Sequence, residues 1–454
     1  MEKTNEEKLT KKEQLLTNWS EIATKKSLVK SELYTKYDVK RGLRDVNGKG
    51  VLAGLTQIGE VHAYNADGSS AHGKLIYRGI EIQDLVNGFS ASEHFGFEET
   101  CYLLLFGDLP NKKELKSFED MLVESRKLSK RFVHDGILKM PSSDVMNAMA
   151  RAVLGLYTFD KDPDNISIKN ILEQCIKLIA TFPLLAVYSY RAYIHQFEGK
   201  SLVIHHPKPE LSTAENILYM LRSDSKYTDL EAKLLDISLV LHAEHGGGNN
   251  STFATHLLSS SGTDTYSTIA GALGSLKGPR HGGANIKAVH MFDEIKKEIK
   301  DWENDEEVKS YILKLLNKEA FDNSGLIYGI GHAVYSLSDP RAIILRDYAK
   351  KLAEEKGLLD EFNLHVKIET LAPEIIGEKR KIYKGVSANV DFFSGFVYKM
   401  LGIPEELYTP LFAIARIAGW SAHRIEEMAN GGKIIRPAYK GIAEPRSYIP
   451  IDKR

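Results

Sequence analysis

Along most of this chain the apolar positions recur at helical spacing. Residues 97–106, 145–157, 170–196, 213–223, 230–243 and 265–277 carry apolar side chains at a period near 3.6, which predicts buried or amphipathic helices. Between Gly50 and Lys74 the pattern loosens into alternation broken by Gly, Asn and Asp, which predicts a small hairpin. Residues 291–320 are far more charged, as the solvated faces of two surface helices would be. The pattern therefore predicts a mainly helical protein, with a second and more exposed domain beginning after residue 285.

Composition removes several function classes. With 60 Lys+Arg against 61 Asp+Glu the formal net charge is −1, so nothing electrostatic favours nucleic acid or an anionic membrane as partner. No uninterrupted run approaches the ~20 apolar residues of a membrane span, and none is expected. The opening MEKTNEEKLTKKEQLL mixes Glu with Lys and lacks an apolar centre, which argues against a targeting segment and for a cytoplasmic protein. Cys101 and Cys175 lie in apolar runs and read as reduced core thiols.

Some residues do not fit a core. In Gly278-Pro-Arg-His281-Gly-Gly-Ala-Asn285, Pro279 stops the preceding helix, and Gly282 and Gly283 admit φ > 0 or the close approach of a ligand. His281 there is either a bare proton donor or an incidental part of a turn. Arg416 sits in the middle of Leu411-Phe-Ala-Ile-Ala-Arg416-Ile-Ala-Gly-Trp420, a helix apolar nearly all round. Such a guanidinium must be paired, either with a core Glu or with a ligand carboxylate gripped bidentately. Arg341 after Pro340 and Arg436 before Pro437 read equally well as ordinary surface residues, yet three arginines in rigid settings suit a small di- or tricarboxylate.

Leu241-His-Ala-Glu-His245-Gly-Gly-Gly matches neither zinc-peptidase spacing, and no third ligand follows, so no metal is expected. The helix is expected to end at the glycine triplet, with His245 in its last turn facing a cleft. Gly329-Ile-Gly331-His332 repeats the bare-histidine theme and makes a poor dinucleotide signature, since no clear strand precedes it. Asp391, among Val390, Phe392 and Phe393, is either a helix N-cap with a lowered pKa or a desolvated carboxylate with a raised one. Together two bare histidines, one such carboxylate and several arginines could remove a proton beside a carbonyl, stabilise the enol and add it to a bound polycarboxylate.

The motifs LHAEHGGGN, GPRHGGAN, GIGHAVYSLSDPR, NVDFFSG, FAIARIAGW and IIRPAYKG follow in that order. By them the chain resembles the citrate synthase family from about residue 40 onward, including its 2-methylcitrate synthases. The resemblance implies an all-α fold in two domains with a small N-terminal β-hairpin region. The large domain would take residues 1–285 and 391–454, and residues 286–390 would close over the substrates. It implies an acyltransferase that condenses acetyl-CoA with oxaloacetate, without cofactor or metal. Asp391 would take the methyl proton, His281 would hydrogen-bond the enol oxygen, and His332 would polarise the ketone. His245, Arg341, Arg416 and Arg436 would hold the carboxylates, with Arg436 reaching into the neighbouring subunit of a homodimer. One departure is Ser336, where the family commonly places Lys or Arg against the CoA phosphates; Lys381 and Lys384 are the candidate substitutes. Rival readings are a propionyl-CoA enzyme, since one methylene is worth only ~1–3 kcal/mol of discrimination, a non-enzymatic helical scaffold, and a zinc hydrolase.

Overall fold

The computed structural model describes residues 2–45, 50–65, 67, 69–331, 334–381 and 385–454, the side chains of residues 2–10 excepted. The chain divides into two compact units, Met1–Gly54 and Leu55–Arg454. The first contains the helices Glu2–Ser27 and Ser31–Lys36 and a short turn at Arg41–Leu43. The second is a helical assembly with one small antiparallel sheet among the described residues, in the order β1 (Gly59–Tyr64), β2 (Ser70–Tyr77) and β3 (Ile80–Glu81). The expected hairpin is β1–β2, with Val61 opposite Leu75; β3 extends it by pairing Ile80 with Tyr77.

The helices predicted from periodicity form at Phe97–Phe106, Val145–Tyr157, Ile168–Glu198, Thr213–Leu221, Asp229–His242 and Thr265–Lys277. Side-chain caps fix their starts. Asp144, Ser167, Ser212, Thr228 and Asp264 each accept a backbone N–H of the first turn, and Glu215 and Glu231 complete capping boxes. The charged stretch becomes the helices Ala284–Glu298 and Asp305–Leu316, which bury Val289, Phe292 and Ile295, and Val308, Ile312 and Leu315.

One expectation needs correcting. The helix Ile168–Glu198 is long and apolar enough to cross a membrane, with a mean hydropathy of 1.5 over its most apolar stretch. No uninterrupted apolar run marks it, because Glu173, Gln174, Lys177 and Thr181 break the run without much lowering its average. Most of that stretch, 78 %, is buried inside the protein, where it serves as a core helix. Both cysteines are free and buried, and burial pushes the Cys175 thiol up to about 11.

The helix Tyr408–Ala429 packs against Ile168–Glu198, Asp229–His242, Asn250–Ser259 and Thr265–Lys277. It carries two arginines fully into the core. Arg424 is satisfied there by neutral acceptors: Nε by Thr265 Oγ1 at 3.0 Å, Nη1 by Ser259 and Thr268 at 3.1 and 3.0 Å, and Nη2 by the Thr263 carbonyl at 2.8 Å. This fold can therefore pair a structural guanidinium completely. Arg416 is treated differently.

Candidate active site

Arg416 is fully buried, and its Nε donates to the His242 carbonyl at 2.7 Å. Its terminal nitrogens Nη1 and Nη2 are buried without a hydrogen-bond partner among the described residues. The carboxylate that attracts it is Glu244, without an ion-pair contact. Burial lowers its pKa to about 10, which leaves it charged at neutral pH. The core salt bridge allowed by the sequence is thus not formed, and the open side of the fork is suited to a carboxylate.

The helix before His245 ends at His242, three residues earlier than the sequence suggested. Gly246 supplies the left-handed turn, with φ of 79°, and Asn249 caps the next helix by accepting the Ser251 N–H. His245 accordingly lies in the loop, half-buried, with its ring 5.7 Å from that of Tyr335. His242 is fully buried and donates Nδ1–H to the Ser238 carbonyl at 2.8 Å. Burial depresses its pKa to about 3.

His281 follows the helix Thr265–Lys277, which stops at Gly278 as Pro279 dictates. Gly282 and Gly283 do not use positive φ. A Cβ on Gly282 would collide with the Leu276 carbonyl and Thr409, and one on Gly283 with Pro279, so these glycines admit protein backbone rather than ligand. His281 Nε2 lies 3.3 Å from Ser251 Oγ, which also accepts the Trp420 indole N–H at 3.1 Å. Burial first, and then the Arg416 charge, lower the His281 pKa to about 4, so its imidazole is neutral at pH 7.

Asp391 is not the cap of its helix. Asn389 is, accepting the Asp391 N–H at 2.9 Å and donating Nδ2–H to the Gly331 carbonyl at 2.7 Å. The strand-like contact is completed by Gly331 N–H to Ser387 O and Asn389 N–H to Gly329 O, both 2.8 Å. A Cβ on Gly329, whose φ is 84°, would meet the Phe392 backbone. These bonds fasten the GIG segment to the start of the Val390–Met400 helix. Burial raises the Asp391 pKa to about 6, against the opposing pull of Arg341. Desolvation wins over the helix N-terminus.

Arg341 is buried and paired bidentately with Asp339, Nε to Oδ1 at 3.0 Å and Nη2 to Oδ2 at 2.8 Å, which raises its pKa further. Asp339 Oδ2 also accepts the Val390 N–H at 3.2 Å. One carboxylate thereby ties the Arg341 helix, Pro340–Lys356, to the Asp391 helix. Arg341 also lies 5.7 Å from the Tyr335 ring, which the His245 ring meets edge-on at 5.7 Å. Two groups result, Arg416 with His281 and Asp391 with Arg341, and both guanidinium charges act on His242.

His332 and Lys384 lie outside the described residues. Lys381 is exposed at the end of the Leu359–Arg380 helix with φ of 53°, and Arg436 is exposed on the tail beyond Gly432. Ser336 is buried. Sequence reading missed Ser251, Trp420, Asn389 and Asp339. Only the last two carried a usable signal, as Asn and Asp one residue before a helix start.

A family model described as "Citrate synthase, C-terminal domain" matches residues 43–438. The chain belongs to the citrate synthase family. Among its relatives, a citrate synthase of Synechocystis is 37 % identical over 84 % of this chain and 88 % of its own. A 2-methylcitrate synthase of Shewanella oneidensis is 32 % identical over 89 % and 97 %. Among solved structures, the citrate synthase of Thermoplasma acidophilum in ternary complex with carboxymethyl coenzyme A and oxaloacetate superposes with a TM-score of 0.73. It is 30 % identical and is matched over 91 % of this chain and 99 % of that one. The citrate synthase fold is all-α, and the family is one of acyltransferases.

Proposed function

We propose that this member of the citrate synthase family condenses acetyl-CoA with oxaloacetate to citrate and CoA, with Arg416 as the principal oxaloacetate ligand. The observation that carries the reading is a fully buried guanidinium with two unpartnered nitrogens beside a neutral histidine. Asp391, poised near pH 6, takes a proton from the acetyl methyl, and the C–H electrons move onto the thioester oxygen. His281 donates a hydrogen bond to that oxygen, and a neutral imidazole matches the developing enol better than an imidazolium would. The enol carbon then attacks the oxaloacetate ketone, whose oxygen takes a proton from His332. Water cleaves the resulting thioester and releases CoA. His245 and Arg341 complete the carboxylate grip; no step needs a metal or cofactor. Release of free CoA thiol from acetyl-CoA only when oxaloacetate is present tests this, and oxaloacetate-independent or absent release refutes it. The Shewanella relative supports a second substrate, propionyl-CoA, and the ratio of kcat/KM for the two thioesters decides between them.

Trp420 donates to Ser251, so the Ser251 hydroxyl proton is left for Asn249 Oδ1 at 2.9 Å or for His281 Nε2. Donation to His281 fixes the tautomer with Nδ1–H turned to substrate. Ser251→Ala is expected to lower kcat about tenfold, the worth of one hydrogen bond of roughly 1–1.5 kcal/mol. An unchanged kcat would show that His281 takes its tautomer without Ser251.

We further propose that residues 286–390 close over oxaloacetate and so complete the acetyl-CoA site. Equilibrium titration should then find tighter acetyl-CoA binding with oxaloacetate present. In the proposed homodimer Arg436 acts in the neighbouring subunit, in keeping with its exposure here. Asp391→Asn and Arg436→Ala subunits, each inactive alone, should regain activity as verified heterodimers, because one site then combines an intact Asp391 with an intact Arg436. No recovery would place Arg436 in its own subunit's site or in none.

A further inference from the structure

Behind Arg416 lies a polar chain that the reaction scheme does not use. Glu427 Oε2 is 2.8 Å from His256 Nδ1, and His256 Nε2 is 3.0 Å from His423 Nδ1. His423 Nε2 then meets Glu244 Oε1 at 3.1 Å, at ion-pair distance though not in an aligned hydrogen bond. His423 and Glu244 are fully buried, whereas His256 and Glu427 reach the rim. Both outer ring nitrogens face carboxylates, and the two inner ones face each other.

Glu426 Oε2, 3.9 Å from His423 Nδ1, gives the two rings the look of a metal-ligand set backed by carboxylates. The N···N separation of 3.0 Å argues otherwise. It is a hydrogen-bond length, shorter than the edge of roughly 3.3 Å that Zn–N bonds of ~2.0–2.1 Å give a tetrahedral site.

The inner end of this chain, Glu244, is held through its backbone and by packing, while both carboxylate oxygens are buried without an aligned hydrogen bond among the described residues. Its N–H donates to the Tyr77 hydroxyl at 3.2 Å, and that hydroxyl lies 3.0 Å from its carbonyl. Its side chain fills a slot between Gly59 and Gly419, where any Cβ would collide with it. Two residues before it, the His242 carbonyl holds Arg416; the residue after it is His245. We propose that Glu244, steadied by His423, His256 and Glu427, is a positioning residue that sets Arg416 and His245 for oxaloacetate. The proposal rests on the reading of those two side chains as oxaloacetate ligands.

The sign of the effect separates this role from a purely electrostatic one. Loss of a counter-charge alone would leave Arg416 more attractive to an anion, and the oxaloacetate KM would fall. Loss of positioning raises it. Glu244→Gln is expected to raise the oxaloacetate KM about tenfold, with kcat and the acetyl-CoA KM at saturating oxaloacetate changed less than about threefold. Glu244→Asp should recover part of the loss. His256→Gln, at the more exposed end, should move the oxaloacetate KM in the same direction by about threefold, and it decides the matter if Glu244→Gln does not fold. An oxaloacetate KM that is unchanged or lower overturns the proposal, as does a parallel change in both KM values and in Tm, or stoichiometric zinc in the purified protein. Arg416→Ala measured alongside separates the two levels. If it leaves the oxaloacetate KM unchanged, the ligand reading itself fails; if it alone raises KM, only the positioning role of Glu244 fails.

Discussion

Replacement of Asp391 by asparagine is expected to lower kcat by roughly 10²–10⁴ while oxaloacetate binding persists, the usual worth of a positioned general base. Asn389 already caps the helix, so the loss cannot be charged to a missing cap. Stability should move the other way. Burial raises the Asp391 pKa from the ordinary carboxylate range to about 6, so the folded state holds its proton more tightly than the unfolded chain does. That contribution is fully present below about pH 4, is lost as pH rises through about 6, and leaves an ionised buried carboxylate as a net cost above it. At ~1.36 kcal/mol per unit, asparagine should therefore stabilise the fold at pH 7.5 by about 1–3 kcal/mol. Wild-type kcat/KM should fall as pH drops through about 6, where the base becomes protonated. A denaturant melt beside steady-state kinetics checks both halves. Near-normal turnover, or lower stability of the variant at pH 7.5, would mean that Asp391 serves the fold and not the proton transfer.

How far the sequence revealed this site depended on whether a signal was local. Helices with a clean 3.6 period and a Ser, Thr or Asp before them were legible almost to the residue, as at Thr265–Lys277 behind Asp264. Pro340–Lys356 and Leu359–Arg380 were not, because their charged residues and low amphipathicity mask the period. His245 was placed one turn too far inside its helix. The Tyr77 hydroxyl at the Glu244 backbone, from a strand more than a hundred residues away in sequence, helps end that helix early. The Asp339–Arg341 pairing and the Ser251–His281 contact were equally invisible, since they depend on which helix starts converge. The unusual residues themselves, a lone arginine in an apolar helix and a carboxylate among phenylalanines, stood out because each violates a rule that core residues obey.

Arg416→Ala should cost about 2–5 kcal/mol in oxaloacetate affinity, since it removes a buried charged partner. By ~1.4 kcal/mol per tenfold this is roughly a 30- to several-thousand-fold weaker Kd. Its effect on stability should be modest, because the side chain gives up one hydrogen bond, to the His242 carbonyl, and a contact with the Phe412 ring 4.7 Å away. Relief from burying an underpaired cation offsets part of that loss. Arg424, two turns further along the same helix and equally buried, is the control. Its nitrogens are shared among Thr265, Ser259, Thr268 and the Thr263 carbonyl, so Arg424→Ala should lower the unfolding free energy and leave oxaloacetate Kd unchanged. Calorimetric titration and a denaturant melt on both variants read the two effects separately. If Arg416→Ala instead behaves like Arg424→Ala, with stability lost and substrate affinity kept, the open guanidinium is a structural group and the carboxylate must bind elsewhere.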